Sequence, residues 1–228
     1  PSAILAGESI DNVECYGDTN GIITLSPSGG TGSYSFKWDT TTSVLSTNQV
    51  NNQNLINLQP GTYTVTISDV NGCELTKDFD VFEPEAITND FVSVSDVSCF
   101  NLQDASATSQ VDGGTPGYIY SWKDSLGNVI SNSAVTGSIL GAGNYDLEIT
   151  DNNGCQAYFT INIAQPEKII ASTEINSFYG EDQSSNPFHI SCIGSSDGSA
   201  IVTNGGGVSP ITYNWTDISG NTVSTSSN

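Results

Sequence analysis

The sequence predicts an all-β protein built from tandem antiparallel β-sandwich modules, and three observations carry that prediction. A frame of cysteine, 22 residues and tryptophan occurs three times: Cys15 to Trp38, Cys99 to Trp122, and Cys192 to Trp215. Period-2 alternation of large apolar and small or polar residues recurs at fixed places in each copy, which puts one face of a strand on a core. Glycine pairs and Asn-Gly turns punctuate these runs at regular spacing. The 228 residues suffice for two to three small domains, and the cysteine frames step by 84 and then 93 residues. That step is the usual size of a sandwich domain.

The elements follow in order within a copy. Ile23 and Leu25, Ala107, and Ala200 and Val202 mark a strand between the first cysteine and the glycine pair. Gly29-Gly30, Gly113-Gly114 and Gly206-Gly207 then precede the aromatic strand at a constant distance. That strand is Tyr34 to Trp38, Tyr118 to Trp122, and Ile211 to Trp215, with positions 0, 2 and 4 facing inward. Ile56 and Leu58, with Ile139 and Leu140, supply the next strand. Gly61 to Ile67 matches Gly143 to Ile149, and Tyr63, Val65 and Ile67 share a face, as do Tyr145, Leu147 and Ile149. Asn71-Gly72 and Asn153-Gly154 read as tight hairpin turns, since both residue types tolerate positive φ. About seven strands per module are expected.

Glu83-Pro84-Glu85 and Gln165-Pro166-Glu167 mark short junctions, with proline ending the last strand of each module. The expected domains are 1–85 and 86–168, complete repeats, and 169–228, a partial third. The third copy carries about 11 extra residues near Phe178 to Pro187 and contains no second cysteine. Pro1 takes the place of a junction proline, so the sequence reads as an internal excerpt of a longer protein. Short junctions favour a stiff rod.

Twenty-five acidic residues stand against four lysines and no arginine, for a formal net charge of −21. That balance excludes nucleic acid as a partner, because phosphate neutralisation needs Lys and Arg. It also argues against anionic membrane surfaces, and no apolar run is long enough for membrane insertion. A soluble, self-repelling extracellular chain fits.

The five cysteines resolve into two per complete copy and a fifth, Cys192, whose counterpart is missing. We expect Cys15–Cys73 and Cys99–Cys155, each closing a loop of about 57 residues and stabilising it by a few kcal/mol. Spacing alone leaves free or cross-paired thiols open. Such bonds imply an oxidising compartment.

Three motifs together carry a family resemblance. They are Cys-x-Gly-x-x-x-Gly (Cys15, Gly17, Gly21; Cys192, Gly194, Gly198), Gly-Gly-x-x-x-x-x-Tyr-x-Trp with Phe36 replacing Tyr in the first copy, and Gly-x-Tyr-x-(Val/Leu)-x-Ile-x-Asp-x-Asn-Gly-Cys. The chain resembles a tandem of SprB repeats, modules of very large surface adhesins of gliding bacteria of the Bacteroidetes type. The middle copy departs with Phe100-Asn101-Leu102 after Cys99, which loosens one loop. The tyrosine strand also resembles immunoglobulin-like modules of the polycystic-kidney-disease type. The resemblance implies stalk repeats displayed on the outer cell surface, surface attachment and gliding motility. It also implies export by type IX secretion. Partners would be neighbouring repeats, the secretion and gliding machinery, and an external substratum or glycans engaged by other parts of the parent. The alternative is a carbohydrate-binding module array of a secreted enzyme, which predicts exposed aromatic rows.

Chemistry is sparsely supported. Trp38, Trp122 and Trp215 phase inward with the tyrosines and are taken as core. Asp69, Asn71, Asp151 and Asn153 resemble the opening of a calcium loop but lack the distal ligands. The turn reading is preferred, with calcium held at a junction by Glu83, Glu85 or Glu167 as the functional alternative. No cofactor is required. His189 is the only histidine, no zinc-type cluster exists, and we expect no enzyme. Asp39-Thr40-Thr41 and Asp124-Ser125-Leu126 resemble O-glycosylation acceptors, at Thr40 and Ser125.

Overall fold

The computed structural model describes residues 2–40, 45, 49–181 and 187–226, with backbone alone at 181, 187 and 188. Every regular element among them is a strand. The first six are β1 (Leu5–Asp11), β2 (Gly21–Ser28), β3 (Ser35–Thr40), β4 (Leu55–Leu58), β5 (Gly61–Ser68) and β6 (Glu74–Val81). They form two three-stranded antiparallel sheets, ordered β1-β2-β4 and β3-β5-β6. Six of the seven or so strands expected per module lie among the described residues of the first repeat.

Alternation is the cause of this sandwich. Ile23 and Leu25 of one sheet and Trp38, Tyr63, Val65 and Ile67 of the other are buried, while their strand neighbours face out. Phe79 closes on Trp38 with ring centroids 6.0 Å apart. Trp38 Nε1 donates to the Asn52 carbonyl at 2.7 Å, so burying the indole strands no donor. Ile56, assigned to the core from the sequence, is 52% exposed, as is its counterpart Ile139 at 50%, while Leu55, Leu58 and Leu140 are buried. Asn57 holds φ at +56°, and the pairing of β4 with β2 shifts register there. The strict period of two is therefore broken within β4.

The next six strands are β7 (Thr88–Ser95), β8 (Ser106–Asp112), β9 (Ile119–Lys123), β10 (Val129–Ser131), β11 (Gly143–Thr150) and β12 (Gln156–Ile163). They form sheets ordered β7-β8 and β10-β9-β11-β12. The last six are β13 (Ile170–Ile175), β14 (Gly180–Glu181), β15 (Pro187–Phe188), β16 (Ala200–Gly205), β17 (Trp215–Thr216) and β18 (Thr222–Ser224), in the pairs β13-β16, β14-β15 and β17-β18. The β14–β15 hairpin falls in the insertion of the third copy, whose residues 182–186 lie outside the described residues.

By contacts the chain divides into two compact units. One comprises Pro1–Val92, Thr108–Val135 and Tyr145–Thr160. It contains the first sandwich together with the buried Trp122, Leu147 and Ile149. The other comprises Ser93–Ala107, Thr136–Asn144 and Ile161–Asn228. Its buried apolar residues include Val97, Ala105, Leu140 and Ile163. The third copy is less enclosed: all of β13 is exposed, and Trp215 is only half-buried.

Candidate functional site

The repeats are built to meet at their ends, and the same parts recur at each meeting. A glycine pair with positive φ opens each time: Gly29 and Gly30 at 77° and 62°, Gly113 and Gly114 at 76° and 60°, Gly206 and Gly207 at 69° and 73°. The residues that follow Pro84 and Pro166, and Ser2 in the first copy, run against that pair. The N–H groups of Gly30, Gly114 and Gly207 donate to the carbonyls of Ser2, Glu85 and Glu167 at 3.0, 2.8 and 2.8 Å. A Cβ on Gly113 would sit 2.0 Å from the Ala86 carbonyl oxygen, so this approach requires glycine.

An aspartate ties the tail hairpin to the same loop. Asp69 is buried; its Oδ1 accepts the N–H groups of Asn71 and Cys73, both at 2.9 Å, and its Oδ2 accepts that of Thr31 at 3.0 Å. Asp151 repeats this with Asn153, Cys155 and Thr115 at 2.9, 2.9 and 2.8 Å. The Cys73 N–H first, with those of Thr31 and Asn71, holds the Asp69 carboxyl below its ordinary range. These hairpins place only the glycine at positive φ, Gly72 at 80° and Gly154 at 86°. The expectation that the asparagines share that conformation is corrected: the Asp-x-x-Gly-x turn closes on aspartate instead. The signal was present in the sequence and missed, since Asp124 to Asn128 and Asp217 to Asn221 make the same turn.

The residues offered to calcium are thus engaged in this way. Asp69 and Asp151 are backbone anchors, Asn153 Nδ2 donates to the Glu14 carbonyl at 3.1 Å, and Glu83 accepts the Gly17 N–H at 2.7 Å. Among the described residues no group of three or more His, Cys, Asp or Glu side chains is arranged to hold a metal ion.

At the opposite end of a repeat lies the first cysteine. Its turn closes with an N–H to the cysteine carbonyl, from Asp18 to Cys15, Leu102 to Cys99 and Ser195 to Cys192, at 3.1, 3.1 and 3.0 Å. Gly17, Asn101 and Gly194 occupy the left-handed position with φ of 80°, 62° and 84°. Asn101 therefore keeps the loop that its lack of glycine was expected to loosen, because asparagine tolerates this conformation better than most residues. Junction side chains cap the turn: Gln165 Oε1 accepts the Asn101 N–H at 2.8 Å, as Glu83 does for Gly17.

The disulfide connectivity differs from the expectation. Cys15 is joined to Cys155, with Cα atoms 5.6 Å apart, and Cys73, Cys99 and Cys192 are free and exposed. Cys15–Cys73 and Cys99–Cys155 are ruled out by strand length. The Val13 N–H donates to the Phe82 carbonyl at 2.9 Å, which fixes Cys15 near the far end of β6. Cys73 precedes β6, about 30 Å back along the strand, whereas a bridge needs Cα atoms within about 7 Å. Val97 and Ala164 fix Cys99 in the same way, one full length of β12 from Cys155. The tail hairpin of one repeat instead reaches the first cysteine of the repeat before it. Around this bond is a cleft of about 410 Å³ lined by Tyr16, Pro84, Ile87 and Gly154 with both cysteines.

The remaining candidates fall as follows. Thr40 Oγ1 donates to the Thr62 carbonyl at 3.1 Å from within β3, and its neighbour Thr41 lies outside the described residues. Ser125 is exposed at the β9–β10 turn. His189 Nδ1 faces the Ser177 carbonyl at 2.6 Å. The Ser177 hydroxyl donates to the His189 carbonyl at 2.7 Å, so the hydroxyl does not face the imidazole. Two lysines are paired, Lys77 with Glu8 and Lys123 with Glu148, each at 2.6 Å. No helix among the described residues is long and apolar enough to cross a membrane.

Comparison with known proteins adds the following. No curated protein matches the chain. Solved structures with some likeness include the N-terminal eight immunoglobulin domains of Down syndrome cell adhesion molecule, at 12% identity and a TM-score of 0.38, covering 72% of this chain and 25% of that one. The chain thus spans about a quarter of that relative's length. Others are the amphioxus IgVJ-C2 molecule, at 13% and 0.30 over 72% and 97% of the two chains, and an intimin fragment bound to the intimin-binding domain of its translocated receptor, at 15% and 0.33 over 76% and 69%. Superpositions this loose carry no functional weight. The sequence model of the SprB repeat matches at residues 7–43, 92–127 and 186–220, each of which encloses one cysteine-to-tryptophan frame. The chain is a tandem repeat protein that carries three SprB repeats.

Proposed function

We propose that the chain is a stalk segment of a very large secreted cell-surface adhesin, a covalently latched spacer that carries tension and does no chemistry. The single observation behind this reading is the Cys15–Cys155 bond, which joins the end of one repeat to the start of the next. Strand pairing alone lets neighbouring repeats part at a junction; a disulfide there does not. It also supports an oxidising, extracellular setting. A net charge of −21 keeps such an array soluble and separated from its neighbours. Family likeness extends the reading to surface attachment, gliding motility and type IX secretion. The domains are then 1–85, 86–168 and a partial 169–228, with the ligand-binding part elsewhere in the parent.

The competing reading is a carbohydrate-binding array. Trp38 and Trp122 are buried, so they are withdrawn from sugar stacking. A glycan array probed with the purified chain tests the choice. A stalk gives a blank array; saturable binding to one glycan class overturns the stalk in favour of the binding module.

A further inference from the structure

The latch has a receiving half that recurs at the second junction. Cys99 sits in the same left-handed turn as Cys15, closed by Leu102 to its carbonyl and capped by Gln165 where Glu83 caps the first. Beside it is a cleft of about 400 Å³ lined by Cys99, Phe100, Pro166, Glu167, Ile169 and Val208. The first five match, place for place, Cys15, Tyr16, Pro84, Glu85 and Ile87 of the first cleft. There the remaining wall is the Asp151 to Cys155 hairpin, and its cysteine is bonded to Cys15. At the second junction Cys99 is exposed as a free thiol, and the sequence after Cys192 contains no further cysteine.

We infer that the Cys99 cleft is a docking and disulfide-forming site for the Asp-x-Asn-Gly-Cys hairpin of the SprB repeat that follows the second one. The rule is that the first cysteine of each repeat bonds the tail cysteine of the next. Cys73 is then the donating half toward a repeat on its N-terminal side. The hairpin is the occupant because the first junction seats one against the same parts, and the shared registers of the Gly-Gly loop fix where it lies. Bond formation consumes two thiols and needs an oxidant, for which a small disulfide such as oxidised glutathione serves. The Cys99 thiolate attacks it and releases one glutathione thiol; the hairpin thiolate then attacks the Cys99 sulfur and releases the second. Two protons leave the protein thiols and two electrons pass to the glutathione. Intramolecular seating raises the effective concentration of the second thiol. This inference rests on the latched-array reading but not on where the array is displayed, so its failure leaves the glycan-array result unaffected.

The test completes the third repeat. Trp122 and Trp215 each donate to a carbonyl 11 residues on, at Ser133 and Ser226, so residue 228 corresponds to residue 135. Residues 136–166 are therefore appended after Asn228 of the full chain carrying Cys73→Ser. The protein is oxidised with glutathione disulfide, alkylated, digested and mapped by mass. The expected result is loss of the Cys99 thiol into a bond with the appended copy of Cys155, with Cys192 still alkylated. A bond between that copy and Cys192, or a fully alkylated Cys99, overturns the inference. A second variant does not depend on the appended segment folding. Cys15→Ser in the natural chain frees Cys155 in the same repeat as the free Cys99; both should remain alkylatable, and a Cys99–Cys155 bond overturns the rule.

Discussion

Pulling the chain from its two ends tests the junction latch directly. With Cys15 joined to Cys155, the 140 residues of separation cannot be drawn out, because force passes through the covalent bond. At about 3.4 Å per extended residue they conceal roughly 480 Å of contour. Only the residues before Cys15 and after Cys155 unravel until reductant is added. Bonds inside the repeats, Cys15–Cys73 and Cys99–Cys155, would conceal about 390 Å, released in two separate steps. Single-molecule force spectroscopy, with handles attached through non-cysteine tags at both termini, separates the two cases. A contour gain near 480 Å on reduction is expected. A gain near 390 Å, or none, refutes the junction latch. In the chain-entropy model a loop this long also stabilises the folded chain by on the order of 5 kcal/mol, read as a lowered denaturation midpoint in Cys15→Ser.

Four further outcomes are expected. Asp151→Ala leaves the N–H groups of Thr115, Asn153 and Cys155 without their acceptor and should cost on the order of 3 kcal/mol in urea unfolding; Asp151→Asn should cost less. Trp122→Ala empties a fully buried site and should destabilise by about 3–5 kcal/mol, whereas Trp215→Ala, half-buried, should cost clearly less by the same measurement. Asp69, Asp104, Asp124, Asp197 and Asp217 are all held below the ordinary carboxylate range. The Cys73 N–H is the first cause at Asp69, and the Ser98, Asn128, Ser191 and Asn221 side chains at the others. As pH falls below about 4 the unfolded chain takes up protons that the folded chain resists, so their stabilisation is full above that range and lost below it; melting temperature against pH reads this directly. Because the Asp69 and Asp151 carboxylates are occupied by N–H donors, millimolar calcium should leave the melting temperature unchanged, and a rise that Asp151→Asn abolishes would show that calcium displaces them.

Much of the fold was legible because its signals are local. Alternation put Trp38, Val65, Ile67, Trp122, Leu147 and Ile149 inside, and the glycine pairs marked the same left-handed corner three times. Where the local rule was interrupted, the reading slipped. Asn57 turns left-handed within β4 and sends Ile56 outward in place of Leu55, and the aspartate that closes each hairpin was read as a calcium ligand or a mere turn flank.

The sequence by itself determined the repeat, the strand faces and the number of half-latches, since each follows from residue period and side-chain chemistry over a few residues. Which cysteines bond was decided only in three dimensions. Two cysteines of one repeat stand at opposite ends of an eight-residue strand, and strand rise sets a separation that no disulfide spans. Stacking one repeat on the next brings Cys155 to Cys15 across 140 residues of chain.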